Sequence, residues 1–153
     1  MVRRSVPSSS RCVAKQWRRV CGCGFWIWER WATWRQAHQT TFAALPECVC
    51  GMASLIELRI SGNQLTGLPD SIAQLTRLRE LHLRDNQLTS LPESLGALQQ
   101  LRQVDLRRNP LVELPASFAS LPRLEKLDLR WVTTLSPPAW SADLEAHGCA
   151  VYR

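Results

Sequence analysis

Acidic residues are missing from the first 28 positions of this chain, a stretch that holds six Lys/Arg and three consecutive serines. With nothing to offset its charge, this segment has the composition of a disordered tail, an organelle transit segment, or a basic aromatic segment lying on an anionic surface. Long apolar runs are missing too: no 18 consecutive apolar residues occur, which excludes the usual membrane-crossing helix. Also absent are a GxxxxGK phosphate loop followed by Ser or Thr, an HExxH zinc helix and a GxSxG nucleophile turn. His38, His82 and His147 form no triad signature, and Cys149, two residues from His147, lacks a third group to orient the pair. The sequence therefore predicts no enzyme, with no catalytic residue, no cofactor and no metal ligand.

The six cysteines include two CxC pairs, Cys21/Cys23 and Cys48/Cys50. Structural zinc sites space their ligands more widely, by two to four residues, so unpaired thiols are expected. No secretory apolar core precedes them, since the longest apolar stretch near the N-terminus is Phe25 to Trp28. A reducing cytoplasm is the expected location, with a secreted effector or an organelle-targeted protein as alternatives.

What is present is enough to bury one core: 153 residues, 45% of them hydrophobic. Charge is unevenly divided. Residues 1–39 carry eight Lys/Arg against Glu29 alone, a balance of +7, whereas residues 40–153 carry eleven against twelve acids, a balance of −1. The basic character thus belongs to the N-terminal segment and gives no global argument for nucleic-acid binding. Contact with a membrane or a nucleic acid would run through residues 1–39, by way of Trp17, Trp31 and Trp34 beside arginines. Of the two, nucleic acid is not an expected partner.

From Leu55 onward the sequence repeats every 23 residues. Taking Leu55, Leu78, Leu101 and Leu124 as first positions aligns three full copies and a decayed fourth. In the full copies, positions 1, 4, 6, 11, 14, 18 and 21 are apolar in all 21 instances. Position 9 is Asn63, Asn86 and Asn109, and position 15 is Pro69, Pro92 and Pro115. Such a period signals a solenoid whose units bury their apolar faces only by stacking. The pairs Leu58/Ile60, Leu81/Leu83, Val104/Leu106 and Leu127/Leu129 predict short strands with one buried face. The Asn predicts a tight turn whose backbone groups its amide satisfies, and the Pro precedes helical turns at SIAQL, SLGAL and SFASL.

The pattern LxxLxLxxNxLxxLPxxLxxLxx resembles the leucine-rich repeat family in its short 23-residue form, over roughly residues 42–147. The resemblance implies an α/β solenoid: a short horseshoe arc with a parallel β-sheet on its concave side and short helical turns on its convex side. It also implies a noncatalytic protein-protein interaction module whose concave face binds a protein or peptide segment. The terminal LDLRW, a Pro/Trp turn and LEAHGCAVYR resemble the ends of bacterial members.

Four segments follow: a basic, disordered tail at 1–24, a Trp-rich cap with a degenerate half repeat at 25–54, three full repeats at 55–123, and a fourth repeat turning into a cap at 124–153. Ile27, Trp31, Trp34 and His38 recur at helical spacing with Trp28 beside them, predicting a capping helix over 25–38. Phe42, Leu45, Pro46, Val49 and Met52 match the back half of a zeroth repeat, with Ala32, Arg35 and Ala37 falling at its strand positions. At the far end, Pro137-Pro138, residues 139–147 and Gly148 predict a short helix with a glycine stop, after which Cys149–Arg153 can run beside the last strand.

The concave columns can be written out from the period. Position 3 is Glu57, Glu80, Gln103 and Lys126; position 5 is Arg59, His82, Asp105 and Asp128. Position 7 is Ser61, Arg84, Arg107 and Arg130, and position 8 ends on Trp131. Two readings stay open: a charge lattice paired within itself, or an arginine stripe that docks an acidic or phosphorylated segment with Trp131 as aromatic anchor. On the second, reversing Arg84, Arg107 and Arg130 to Glu abolishes binding without unfolding. Four strands span about 15 Å, which favours a short epitope and an expected monomer. The alternatives are a scaffold targeted by the basic segment, a piece of a larger repeat protein, and translation from Met52.

Overall fold

The computed structural model describes the backbone of residues 26–29 and 31–35, and residues 42–136 and 138–153 with their side chains, that of Cys48 excepted. The expected tail at 1–24, with Cys21 and Cys23, lies outside the described residues, as does His38. Among the described residues, seven strands form one sheet in chain order: β1 (Trp26–Glu29), β2 (Trp31–Arg35), β3 (Glu57–Arg59), β4 (Glu80–His82), β5 (Gln103–Asp105), β6 (Lys126–Asp128) and β7 (Ala150–Tyr152). β1 pairs antiparallel with β2, and every later pairing is parallel.

Each period adds one rung in register, Leu58 opposite Leu81, Leu81 opposite Val104, and Val104 opposite Leu127. These central side chains are buried, whereas those on either side in β3, β4 and β5 are half-buried and turn to the other face. The strands return over 3-10 helices at Asp70–Gln74, Glu93–Ala97 and Ala116–Ser120. Extended Pro69, Pro92 and Pro115 open these turns, which bury Ile72, Leu95 and Phe118. A 3-10 turn rises faster per residue than an α-helix, which suits so short a return. Gly96 marks the tightest packing between turns: a Cβ there would lie 2.5 Å from the Ser117 Cβ, where the other two copies carry Ala73 and Ala119.

Buried asparagines tie the turns together. Asn86 Nδ2 donates to the Leu83 carbonyl at 2.7 Å and to the Ile60 carbonyl of the preceding repeat at 2.8 Å, while its Oδ1 accepts from the Leu65 N–H at 3.2 Å. Asn109 repeats the arrangement on Leu106, Leu83 and Leu88. Asn63 reaches back to the cap, where its Oδ1 accepts from the Phe42 N–H at 2.9 Å.

Both ends are closed, one of them in an unexpected way. Leu45, Val49 and Cys50 are buried as the expected back half of a zeroth repeat, with a short helix α1 (Glu47–Cys50) in place of the 3-10 turn. The capping helix expected over 25–38 is instead the β1–β2 hairpin. Aromatic and β-branched residues favour strands over helices, and β3 without a neighbour would leave a row of backbone donors and acceptors unpaired. Trp34, not Arg35, stands opposite Leu58. The register of β2 is thus one residue away from the expected strand position Arg35, and the expected position Ala37 lies outside the described residues. At the other end, helix α2 (Ser141–Ala146) buries Leu144, and Trp140 stacks on Phe118 at 6.2 Å. Gly148 at φ +91° ends α2, with its N–H donating to Glu145 and that of Cys149 to Leu144; this is the Schellman stop that only glycine adopts without strain. The chain then pairs as β7 on β6.

Asn86→Ala would leave the Ile60 and Leu83 carbonyls and the Leu65 N–H without their amide partner. A buried group left unsatisfied costs roughly 1–3 kcal/mol, so urea unfolding should show a loss of about 3 kcal/mol. An unmoved midpoint would remove the amide ladder from the account of stability.

Candidate partner-binding face

Register carries the predicted columns across the sheet and lengthens them. Glu57, Glu80, Gln103, Lys126 and Ala150 are successive partners, as are Arg59, His82, Asp105, Asp128 and Tyr152. With the cap strands, the six parallel rungs span about 24 Å at the usual spacing, longer than the 15 Å that four strands give. Tyr152 is the residue that the sequence reading passed over. Once Cys149 and Val151 turn inward beside β6, alternation puts Tyr152 outward, 45% exposed.

Most charges on this face are held by neighbours. Arg107 grips Asp105 with Nε at 2.8 Å and Nη2 at 2.7 Å, and Arg130 grips Asp128 at 2.9 and 2.8 Å. Arg107 also approaches Asp128 at 3.7 Å. Arg84 has His82 two residues before it rather than an aspartate, and turns to Asp85 at 2.7 Å, which Arg108 meets at 3.4 Å. Arg59 pairs with Glu57. Burial pushes the Asp128 carboxyl up, but the Arg130 fork, the Arg130 N–H and the two nearby guanidiniums outweigh it and leave the group below its ordinary range. Asp105 stands the same way: burial raises it and its bonds to Arg107 lower it further.

The predicted arginine column therefore exists, but two of its three members are ordered supports for carboxylates. Asp128 is only 2% exposed, and a glutamate at 130 would face it. The expectation that reversing the three arginines spares the fold does not survive this geometry. Charge also divides along the face. Around β3 and β4, Glu57, Glu80 and Asp85 outnumber Arg59 and Arg84, three to two. Around β5 and β6, Arg107, Arg108, Lys126 and Arg130 outnumber Asp105 and Asp128, four to two.

At the cationic end the backbone sets the side chains. Repeat position 8 is left-handed in every copy: Gly62 (φ +71°), Asp85 (+56°), Arg108 (+55°) and Trp131 (+63°). Non-glycine residues adopt this region at a cost of about 1–2 kcal/mol, and bulky ones are uncommon there. Trp131 is 58% exposed, with the Arg108 guanidinium 5.0 Å and that of Arg130 5.6 Å from its ring. Tyr152 receives Lys126 at 5.3 Å and Arg130 at 5.6 Å. Two exposed aromatic rings and three cations thus form one cluster.

A profile described as Leucine rich repeat matches residues 76–131, and one described as Leucine Rich repeats (2 copies) matches residues 53–96. The chain belongs to the leucine-rich repeat family. A leucine-rich repeat protein of Leptospira interrogans is similar at 32% identity and a TM-score of 0.67, over 74% of this chain and 29% of that one. The leucine-rich repeat domain of the type III effector XopL is similar at 36% identity and 0.58, over 62% of this chain and 36% of that one. An internalin from Listeria monocytogenes, 21% identical with a TM-score of 0.58 over 71% of this chain and 31% of that one, shares the fold. The chain thus spans about a third or less of these solved structures. No curated protein matches it. Leucine-rich repeat domains are typically noncatalytic and commonly bind proteins or peptides.

Cys149 is buried, and burial pushes its thiol up, away from the thiolate form. His147 points its Nδ1 to the Asp143 carbonyl at 2.6 Å.

Because the carboxyls of Asp105 and Asp128 are lowered by folding, they add stability above the unfolded carboxylate range, and this is lost as pH falls through their folded values. Arg130→Ala should lower the urea midpoint at neutral pH and much less at a pH below the folded-state value of Asp128, where that carboxylate is protonated in either state. Equal losses at both pH values would contradict the pairing. Separately, Trp131→Gly should be more stable than Trp131→Ala by about 1 kcal/mol, because only glycine relaxes at this φ; thermal melts decide the order.

Proposed function

We propose that the chain is a protein-interaction module that docks an acidic segment of a partner protein on the C-terminal half of its strand face. The observation that carries this reading is the cluster of Trp131 and Tyr152 with Arg108, Lys126 and Arg130. Tryptophan, tyrosine and arginine are the side chains that most often anchor interfaces, and Trp131 keeps its ring in solvent on a backbone that glycine would hold with less strain. Retained strain of that kind points to a functional position. Excess positive charge speeds the encounter with an acidic partner, and the arginines already held by Asp105 and Asp128 lose little freedom on docking.

Glu57, Arg59, Glu80, His82, Arg84 and Gln103 form the rest of the face and extend the footprint toward the N-terminal end. We place the encounter in a reducing compartment, the cytoplasm being the expectation, where thiols such as those of Cys50 and Cys149 stay free. The solved complex of Toll with Spatzle, 29% identical with a TM-score of 0.56 over 69% of this chain and 15% of that one, supports partner recognition by this fold.

Selection of a displayed random peptide library on the full chain should enrich acidic sequences. The Trp131→Ala and Lys126→Glu variants, which leave the Asp105 and Asp128 pairs intact, should weaken the selected peptides at least tenfold. Peptides with no acidic bias, or bound equally by both variants, would refute the reading.

A further inference from the structure

At the opposite end of the same face, a second cluster has chemistry that acid docking does not use. Glu57 and Glu80 are register partners on β3 and β4, and His82 lies two residues beyond Glu80 on the same side of β4. The His82 Nε2 is 3.3 Å from Glu80 Oε2 and 3.8 Å from Glu57 Oε1. One donor atom from each of the three residues lies within 4.8 Å of the others. The sequence reading treated all three as partner-facing and assigned no metal.

We propose that Glu57, Glu80 and His82 form a binding site for a divalent transition-metal ion of the zinc type. Zinc takes imidazole nitrogen and carboxylate oxygen at about 2.0–2.2 Å in a tetrahedral set, which puts neighbouring donors about 3.3 Å apart. One edge of the triad already has that length, a second exceeds it by about half an ångström and the third is no longer than 4.8 Å, so side-chain rotations on a fixed sheet close the set. The donor types select an ion of this kind: imidazole disfavours magnesium and calcium, and the absence of thiolate disfavours the softest ions. Rigidity comes from the sheet, because a residue and the one two further along project from a strand on one side and register fixes the third donor across the rung. All three side chains are half-buried, with accessibilities of 18%, 38% and 21%, so part of each donor's hydration is already removed while a route for the ion stays open. Three protein donors leave a fourth position for water or for a donor from another molecule.

The guanidinium of Arg59, paired with Glu57, is a built-in competitor. An arriving cation must displace it, and with 40% of its side chain accessible Arg59 can swing into solvent. The site therefore predicts a gain as well as losses: removing Arg59 should tighten metal binding, whereas neutralising either glutamate should weaken it. A merely adventitious surface histidine has no reason to follow that order.

The test is a zinc titration of the full chain, followed by NMR of the three histidine side chains so that cysteines elsewhere cannot be mistaken for this site. The expected result is that the His82 ring signals move with saturable affinity. Binding should weaken at least tenfold in both Glu57→Gln and Glu80→Gln and strengthen severalfold in Arg59→Ala, with Trp131→Ala leaving it unchanged. His82 signals that stay put at tenfold excess zinc would overturn the proposal. So would movement with an affinity that the two glutamine variants do not alter.

Discussion

A three-residue strand with a single buried side chain cannot hold itself, and everything else in this chain follows from the need to stack such strands without error. Burying one leucine contributes about 1.5–3 kcal/mol, comparable to the entropy of ordering a residue or two, so no single repeat breaks even. Stacking changes the balance because Leu58, Leu81, Val104 and Leu127 each become interior to their neighbours. A register fixed to the residue is what makes that possible. The amide ladder enforces it, since each buried asparagine bonds its own turn and the turn before it. A slip would strand several buried polar groups at once.

The same regularity explains how the strand face carries dense charge without being disordered by it. In β5 and β6 an aspartate at position 5 and an arginine at position 7 stand two residues apart on one side, so the pair is neutralised within its own repeat before a neighbour is considered. Guanidiniums held by two bonds are planar and fixed, a surface that a partner meets already arranged. Where the pattern fails, chemistry is released. His82 in place of an aspartate leaves Arg84 to find Asp85 and brings an imidazole to two carboxylates. The N-terminal half of the face thus suits a cation and the C-terminal half an acidic chain, on one rigid sheet.

The repeating part was legible in the sequence because its signal is redundant: 21 matching apolar positions cannot be read in another register. The concave columns followed from the same period, and register places them as written. What failed lies where redundancy ends. The Trp-rich segment over 25–38 shows a helical spacing that is real, but local periodicity carries no information about the unpaired edge of β3, and that edge decides for strands. The pairing of Arg107 and Arg130 with Asp105 and Asp128 is one of the two readings the columns left open, and the DxR spacing in β5 and β6 carries it. Tyr152 was within reach too, since Cys149 and Val151 alternate as a strand must. The coming together of Glu57, Glu80 and His82 was not, because it depends on side-chain directions across a rung that composition does not specify.

Position 8 is where the repeat leaves room for choice. The chain must turn left-handed there to bring the asparagine inward, so the backbone is set by the fold while the side chain points away from it. Glycine meets that demand with least strain, and the first copy has Gly62. The later copies depart from it progressively, to aspartate, arginine and finally tryptophan, each larger and each held in a conformation that favours a smaller one. Packing does not require this, since Trp131 stays exposed. The drift from glycine to tryptophan runs in the same direction as the drift from negative to positive charge across the face. The two gradients share Asp85 and Arg108, and together they mark one corner of the molecule, where exposed aromatic rings and an excess of cations meet.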